Sequence, residues 1–278
     1  MRDVLALAEL TFREARRSKI LWTAVILGVV FIALYATGFY FIYLEMSRSE
    51  QGPELILNAG FNFVVMAGVY VVSFLGVMLS VLVSVGTLSG EISSHTVQSL
   101  AVKPLRRSAI VLGKWLGLAL MLSTYILLLG GGIVLATRVI SGYLLPHALA
   151  GLLLVAFEAL ILLSLSVAGS TRFSTVANGV MAFMCYGLAF IGGWIEQIGS
   201  LAHNETAVDI GIITSLLVPS EAMWKMAAYI MQPPATRMLG ISPFSMASSP
   251  STIMLLYAIA YTAAWVAVAV YSFGRRDL

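Results

Sequence analysis

Side chains able to do chemistry are scarce in this chain, and their spacing excludes most reactions. The three histidines, His95, His147 and His203, stand far apart in sequence and on different polar connections, so they do not form a ligand set. The sequence contains no HExxH, no GxSxG and no GxxxxGK[ST]. Gly113-Lys114-Trp115 lacks both the earlier glycine and the trailing Ser or Thr that a phosphate loop needs. No catalytic residue, metal ligand or bound cofactor is therefore expected of this chain. The one acid near the middle of an apolar run is Glu158. A charge at that depth costs roughly 2.5–3.5 kcal/mol on insertion scales, so it must face other helices and find a partner. Ser123, Thr124 and Tyr125 are the hydroxyls expected to serve. Glu158, with Tyr125, reads either as a pathway or proton-relay residue or as a helix-packing hydrogen bond. The second reading fits a lone acid with no further acid, His or Lys beside it.

A second concentration of polar chemistry is Gly86 to Lys114, GTLSGEISSHTVQSLAVKPLRRSAIVLGK, between two long apolar runs. Residues 84–100 are expected to be helical, with Ser93, Ser94 and Thr96 able to bond the backbone locally. Pro104 disfavours helix at Lys103, and Ser108 is positioned to cap the helix that follows. Lys103, Arg106, Arg107 and Lys114 place four cations beside the apolar runs, with Glu91 the one nearby acid. A short basic helix-turn-helix between two spans suits docking on something outside the membrane. An ordinary basic loop would look similar.

The elements that hold these groups are set by hydropathy. Of the 278 residues 60% are hydrophobic and 10% charged, with mean hydropathy +0.96, against about 25% charged in soluble domains. About 20 apolar residues cross the hydrocarbon, which marks six helical spans: 20–42, 63–85, 110–135, 148–168, 178–195 and 253–273. Ten-residue alternating segments, the mark of a barrel, are absent. Residues 1–18 precede the first span as an amphipathic helix, with Val4, Leu5, Ala8, Thr11, Phe12 and Ala15 on one stripe and Arg13 and Arg17 opposite. Such a helix lies in the interface plane. The long run after it, with no small-residue cleavage site, does not read as a signal peptide.

Twelve of the sixteen Lys and Arg residues fall on the side of the amino terminus; Arg48, Arg138, Lys225 and Arg237 fall on the other. The positive-inside rule then makes both termini cytoplasmic. Glu45, Glu50, Glu54, Glu196, Glu205, Asp209 and Glu221 fall outside. The outer connection, residues 196–252, holds two short apolar helices. One is the stretch 209–218; the other starts at Pro219-Ser220-Glu221 and stops at Pro233-Pro234. Both are expected to be re-entrant or interfacial half-helices. Gly113 and Gly117 form a GxxxG, and Gly130-Gly131-Gly132 either packs closely or bends the third span. Trp22, Tyr40, Tyr43, Trp115 and Trp194 are expected to be interfacial anchors. Cys185 has no partner for an intrachain disulfide. Asn204-Glu205-Thr206 is a glycosylation sequon, meaningful in a eukaryotic cell.

The stretch 86–114 resembles the loop between spans two and three of type-2 permeases of ATP-binding-cassette exporters, through Gly90, Glu91, Thr96, Leu100, Pro104, Arg107, Gly113 and Lys114. LTFREARRSK resembles the interfacial elbow helix of that family, YSFGRRDL its carboxyl termini, and residues 196–252 its outer segment. LLVPSEAMW resembles the branch containing the permease for nitrous-oxide-reductase maturation. The resemblance implies an all-α integral membrane protein forming one permease domain over 1–278, with elbow helix 1–18, coupling connector 86–107 and outer segment 196–252. It implies a cytosolic ATPase partner that binds ATP and Mg, contacted by Glu91, Ser93, His95, Thr96, Gln98, Arg106 and Arg107. A second permease copy, homo- or heterodimeric, and membrane lipid complete the assembly; no nucleic acid is expected. The implied setting is a bacterial or archaeal cytoplasmic membrane. Two other readings are a proton-coupled secondary transporter using Glu158, which the lack of inverted repeats disfavours, and a non-transport membrane scaffold.

Overall fold

The computed structural model describes residues 2–48, 54–87, 106–239 and 250–275, and all regular structure among them is helical. Ten helices follow in order: α1 (Arg2–Arg17), α2 (Lys19–Arg48), α3 (Glu54–Ser84), α4 (Arg107–Ser141), α5 (Ala148–Ser170), α6 (Thr175–Leu201), α7 (Glu205–Leu217), α8 (Ser220–Met231), α9 (Pro234–Leu239) and α10 (Thr252–Gly274). Six of them, α2 to α6 and α10, are long and apolar enough to cross a membrane. They are the six spans expected from hydropathy, several running past the hydrocarbon at one or both ends. An even number of crossings puts both termini at one end of the bundle. That end, where the chain leaves α3 and enters α4, is here the connector end; the opposite one is the far end.

Lipid tails are as apolar as leucine, so burial alone does not bring spans together; close packing and interhelical hydrogen bonds do. The centre of the bundle is α5. From Ile161 to Ser170 it is buried on every face, with α3, α4, α8 and α10 packed around it. Trp224 on α8, Phe39 on α2, Phe273 on α10 and Leu122 on α4 fill the spaces between helices. By contrast α2 turns most of its surface outward, including Ile26, Val30, Leu34 and Phe41. Its apolar residues face lipid rather than a core.

Local chemistry explains where helices begin and end. Ser174 and Asn204 cap α6 and α7 by accepting the amides of Ala177 and Ala207. Gly142 ends α4 with φ +73°, the left-handed conformation that glycine adopts without a Cβ clash, and its amide bonds the Arg138 carbonyl. One expectation is corrected at α4: its cap position is Arg106, with no side-chain cap bond, and Ser108 lies one residue inside the helix. Of the two roles open to the triple glycine the structure shows close packing: Gly130 admits Leu152 and Gly132 admits Ile32.

The connection after α6 folds back as two half-helices. Val218-Pro219 interrupts the run, and α7 and α8 meet at 110°. This bears out the expected pair of broken helices. Glu221, assigned to the outer connection, is not a surface acid: α8 is buried along most of its length, Glu221 and Lys225 included. A helix with this many polar groups enters the bundle because facing helices supply partners for them.

Candidate functional site

Two regions bring polar chemistry together. The first is the connector end. Residues 88–105 lie outside the described residues, so Glu91, Ser93, His95, Thr96 and Gln98 have no described placement. The two stumps of the connector are described, and both are fastened to the bundle. Lys114 Nζ, nearly buried on α4, donates to the carbonyl of Thr87 just past α3, at 3.1 Å. Arg107 donates to the carbonyl of Gly274 at the end of α10, 3.2 Å away. Nearby, Arg172 donates to Ser272 Oγ at 3.0 Å, and Asn178 on α6 donates to the Val85 carbonyl at 3.1 Å. The chain on either side of the connector is thus tied to α4, α6 and α10. Arg106 is exposed.

The first helix is docked at the same end. Its inward stripe is Val4, Leu7, Ala8, Thr11, Phe12 and Ala15. Leu7 replaces the expected Leu5, whose side chain is 63% exposed. The seat for this stripe is the GxxxG of α4. A Cβ added to Gly117 would lie 2.6 Å from the Ala8 carbonyl oxygen and 2.8 Å from Thr11 Cβ. One added to Gly113 would meet Leu7 and the Val4 carbonyl oxygen. Two glycines one turn apart therefore let the α1 backbone touch α4, and α1 packs on the span that carries Lys114 and Arg107.

The second region is a polar seam inside the far half of the bundle. Glu158, 1% exposed, accepts a 2.6 Å hydrogen bond from Ser73 Oγ on α3. The expected donors on α4 do not reach it: Thr124 is exposed and bonds the Leu120 carbonyl, and Tyr125 Oη donates to the Ala24 carbonyl on α2. Glu158 is also not alone. The bundle holds a second buried acid, Glu221 on the re-entrant α8. Gly193 on α6 admits it, since a Cβ there would collide with the Glu221 side chain. Tyr70 on α3 and Tyr186 on α6 both pack on the Phe190 ring. One turn along α8 from Glu221, Lys225 pairs with Glu196 of α6 at 2.6 Å. Tyr70 receives a hydrogen bond from Trp194 Nε1 at 3.3 Å and stacks obliquely on Trp224.

At the far rim, Asn62 donates to Tyr143 Oη and to the Met231 carbonyl, tying α3 to the loop after α4 and to the end of α8. Burial pushes the Tyr143 phenol above its ordinary value, and the hydrogen bond from Asn62 pulls the other way. Two expected interfacial anchors point inward instead: Trp194 as above, and Trp115, whose Nε1 donates to Ser164 on α5 at 2.9 Å. Trp22 and Tyr40 are exposed as expected. No group of three His, Cys, Asp or Glu able to hold a metal occurs among the described residues. Glu221 was missed as a site residue because its run, too short to span, reads as surface.

Six candidate spans, a docked amphipathic helix and a bent helix pair before the last span define a polytopic helical membrane protein. The chain belongs to the ABC-2 family of transporter proteins, whose family model, described as ABC-2 family transporter protein, matches residues 5–278. It is thus a transmembrane permease subunit, of a family that works with an ATP-binding-cassette ATPase. No curated protein matches the chain significantly.

Proposed function

We propose that the chain is the membrane-spanning half of an exporter powered by a separate cytosolic ATPase, docked through residues 86–107. The carrying observation is the double fastening of the connector stumps: Lys114 to Thr87, and Arg107 to the end of α10. A push on the connector would then reach α3, α4 and α10 together rather than a loose loop. In this reading Glu91, Ser93, His95, Thr96, Gln98, Arg106 and Arg107 face the ATPase, which holds ATP and Mg. The elbow helix α1, seated on α4, moves with the connector. The whole chain is one transmembrane domain with cytoplasmic termini, as the twelve-to-four cation bias supports. Two copies, or one copy and a related permease, complete the pathway in a bacterial or archaeal cytoplasmic membrane.

The test is affinity purification from native membranes in mild detergent, with wild type beside Glu91→Arg. A phosphate-loop ATPase that co-purifies with wild type and is depleted at least about tenfold with the variant supports the proposal. No ATPase with wild type, even after crosslinking, overturns it. One observation favours a second reading, proton-coupled flux: Glu158 is not the only buried acid, since Glu221 is buried as well. That reading requires flux in vesicles lacking any ATPase, abolished by Glu158→Gln.

A further inference from the structure

Between α2 and α3 lies a groove to which the preceding account gives no role. At the far half the two helices are closed on each other: Phe39 and Tyr43 pack on Phe61, and Met46 and Tyr35 fill the surfaces of Gly60 and Gly68. At the connector half they part. Ile20, Thr23, Ala24 and Leu27 of α2 face Leu75, Met78, Leu79 and Leu82 of α3 across a cavity of about 370 Å³, with Tyr125 at its inner wall. Both rows have the i, i+3, i+4, i+7 spacing of one helix face. They are faces built to meet, held apart.

The groove does not end at Ile20 and Leu82. Both residues also line a second cavity of about 520 Å³ under α1, whose polar wall is Thr11, Glu14, Ser18, Thr87, Lys114 and Thr175. Lys19 stands on the groove's own rim, and Arg16 and Arg17 are exposed on the last turn of α1. The apolar slot thus opens into a chamber of mixed lining, with Lys114 and the carboxylate of Glu14 in its wall, Lys19 on the adjoining rim, and Arg16 and Arg17 between its lining residues Ala15 and Ser18 in sequence.

Depth identifies the occupant. Seven residues of rise on each helix make the slot about 10.5 Å long, within the roughly 15 Å of one leaflet of a 30 Å hydrocarbon core. We propose that this groove holds one anionic phospholipid of the leaflet at the connector end, the cytoplasmic leaflet in the orientation given above. One acyl chain would lie between α2 and α3, with the phosphate in the chamber beside Lys19 and Lys114. The apolar walls match an acyl chain, and the lysines Lys19 and Lys114 match an anionic headgroup; a second copy of the chain on this face is the alternative that the test below separates. Bound there, the lipid is a wedge between α2 and the rest of the bundle and a floor under α1. The site is independent of the ATPase proposal.

Native mass spectrometry of the full chain in mild detergent tests this, titrating dioleoyl phosphatidylglycerol against dioleoyl phosphatidylcholine. The wild type is expected to retain one phosphatidylglycerol in preference to phosphatidylcholine. Thr23→Trp, which fills the slot from its exposed side, should lower that occupancy at least about fivefold. Leu128→Trp, on an exposed surface of α4, should leave it unchanged. Lys19→Glu should weaken phosphatidylglycerol at least about fivefold and spare phosphatidylcholine, since loss of one basic residue near a membrane surface is worth about a factor of five and the added carboxylate repels the headgroup further. Because Lys19 is exposed, its variant tests the site even where Thr23→Trp perturbs folding. Equal retention of the two lipids by wild type, or unchanged binding in both groove variants, overturns the proposal. So does loss of a dimer rather than of lipid in Thr23→Trp.

Discussion

The seating of α1 on α4 can be tested with two glycines of the same helix. A Cβ on Gly117 would press on the Ala8 carbonyl oxygen, Thr11 and the Phe12 amide, two of them backbone atoms that cannot rotate away. A Cβ on Gly131 meets nothing within 4 Å. Both substitutions to alanine gain the same helix preference, about 0.5–1 kcal/mol. Their difference therefore isolates the collision, about 1–3 kcal/mol for overpacking a close contact. At roughly 2–4 °C per kcal/mol for a chain of this size, Gly117→Ala should melt about 2–12 °C below Gly131→Ala in the same detergent. The collision should also lift α1, so trypsin should cut the 13–19 region of Gly117→Ala faster, with Gly131→Ala cutting like wild type. Equal melting temperatures and equal cleavage for the two variants would refute the docking of α1 through this glycine.

Other outcomes follow from the polar seam. Ser73→Ala removes the hydroxyl that bonds Glu158 and should cost about 1–2 kcal/mol in thermal unfolding. In the Glu158→Gln background the same serine substitution should cost clearly less, because the acceptor it serves has changed. Lys225→Met leaves Glu196 and Glu221 without the cation between them and should destabilise by about 3 kcal/mol, as for breaking a buried pair. Adding Glu196→Gln should recover part of that loss, and a double variant no better than the single would contradict the pairing.

Much of the architecture was legible because the bilayer imposes it. An unpaired backbone group in hydrocarbon is costly, so every crossing must be a helix of about twenty apolar residues. The six spans follow from hydropathy, and the break at Val218-Pro219 follows from a polar and proline-marked interruption. The amphipathic stripe of residues 1–18 was legible too, apart from the exchange of Leu5 for Leu7, which lie on opposite edges of the stripe, about 160° apart around the helix.

Which helix meets which was not legible, because a span apolar all round shows no preferred face in its sequence. Glu158 takes its hydrogen bond from Ser73 of α3 rather than from α4, since packing around α5 puts α3 on that face. The GxxxG of α4 signals a close contact, but only the fold makes its partner α1 rather than another span. Glu221 and Lys225 read as charges of the outer connection, on a short apolar half-helix. They are interior because α7 and α8 fold back at 110° and α6 offers Glu196 and the bare surface of Gly193. Periodicity records which residues share a helix face; tertiary packing decides what that face touches, and for a buried charge that choice determines its chemistry.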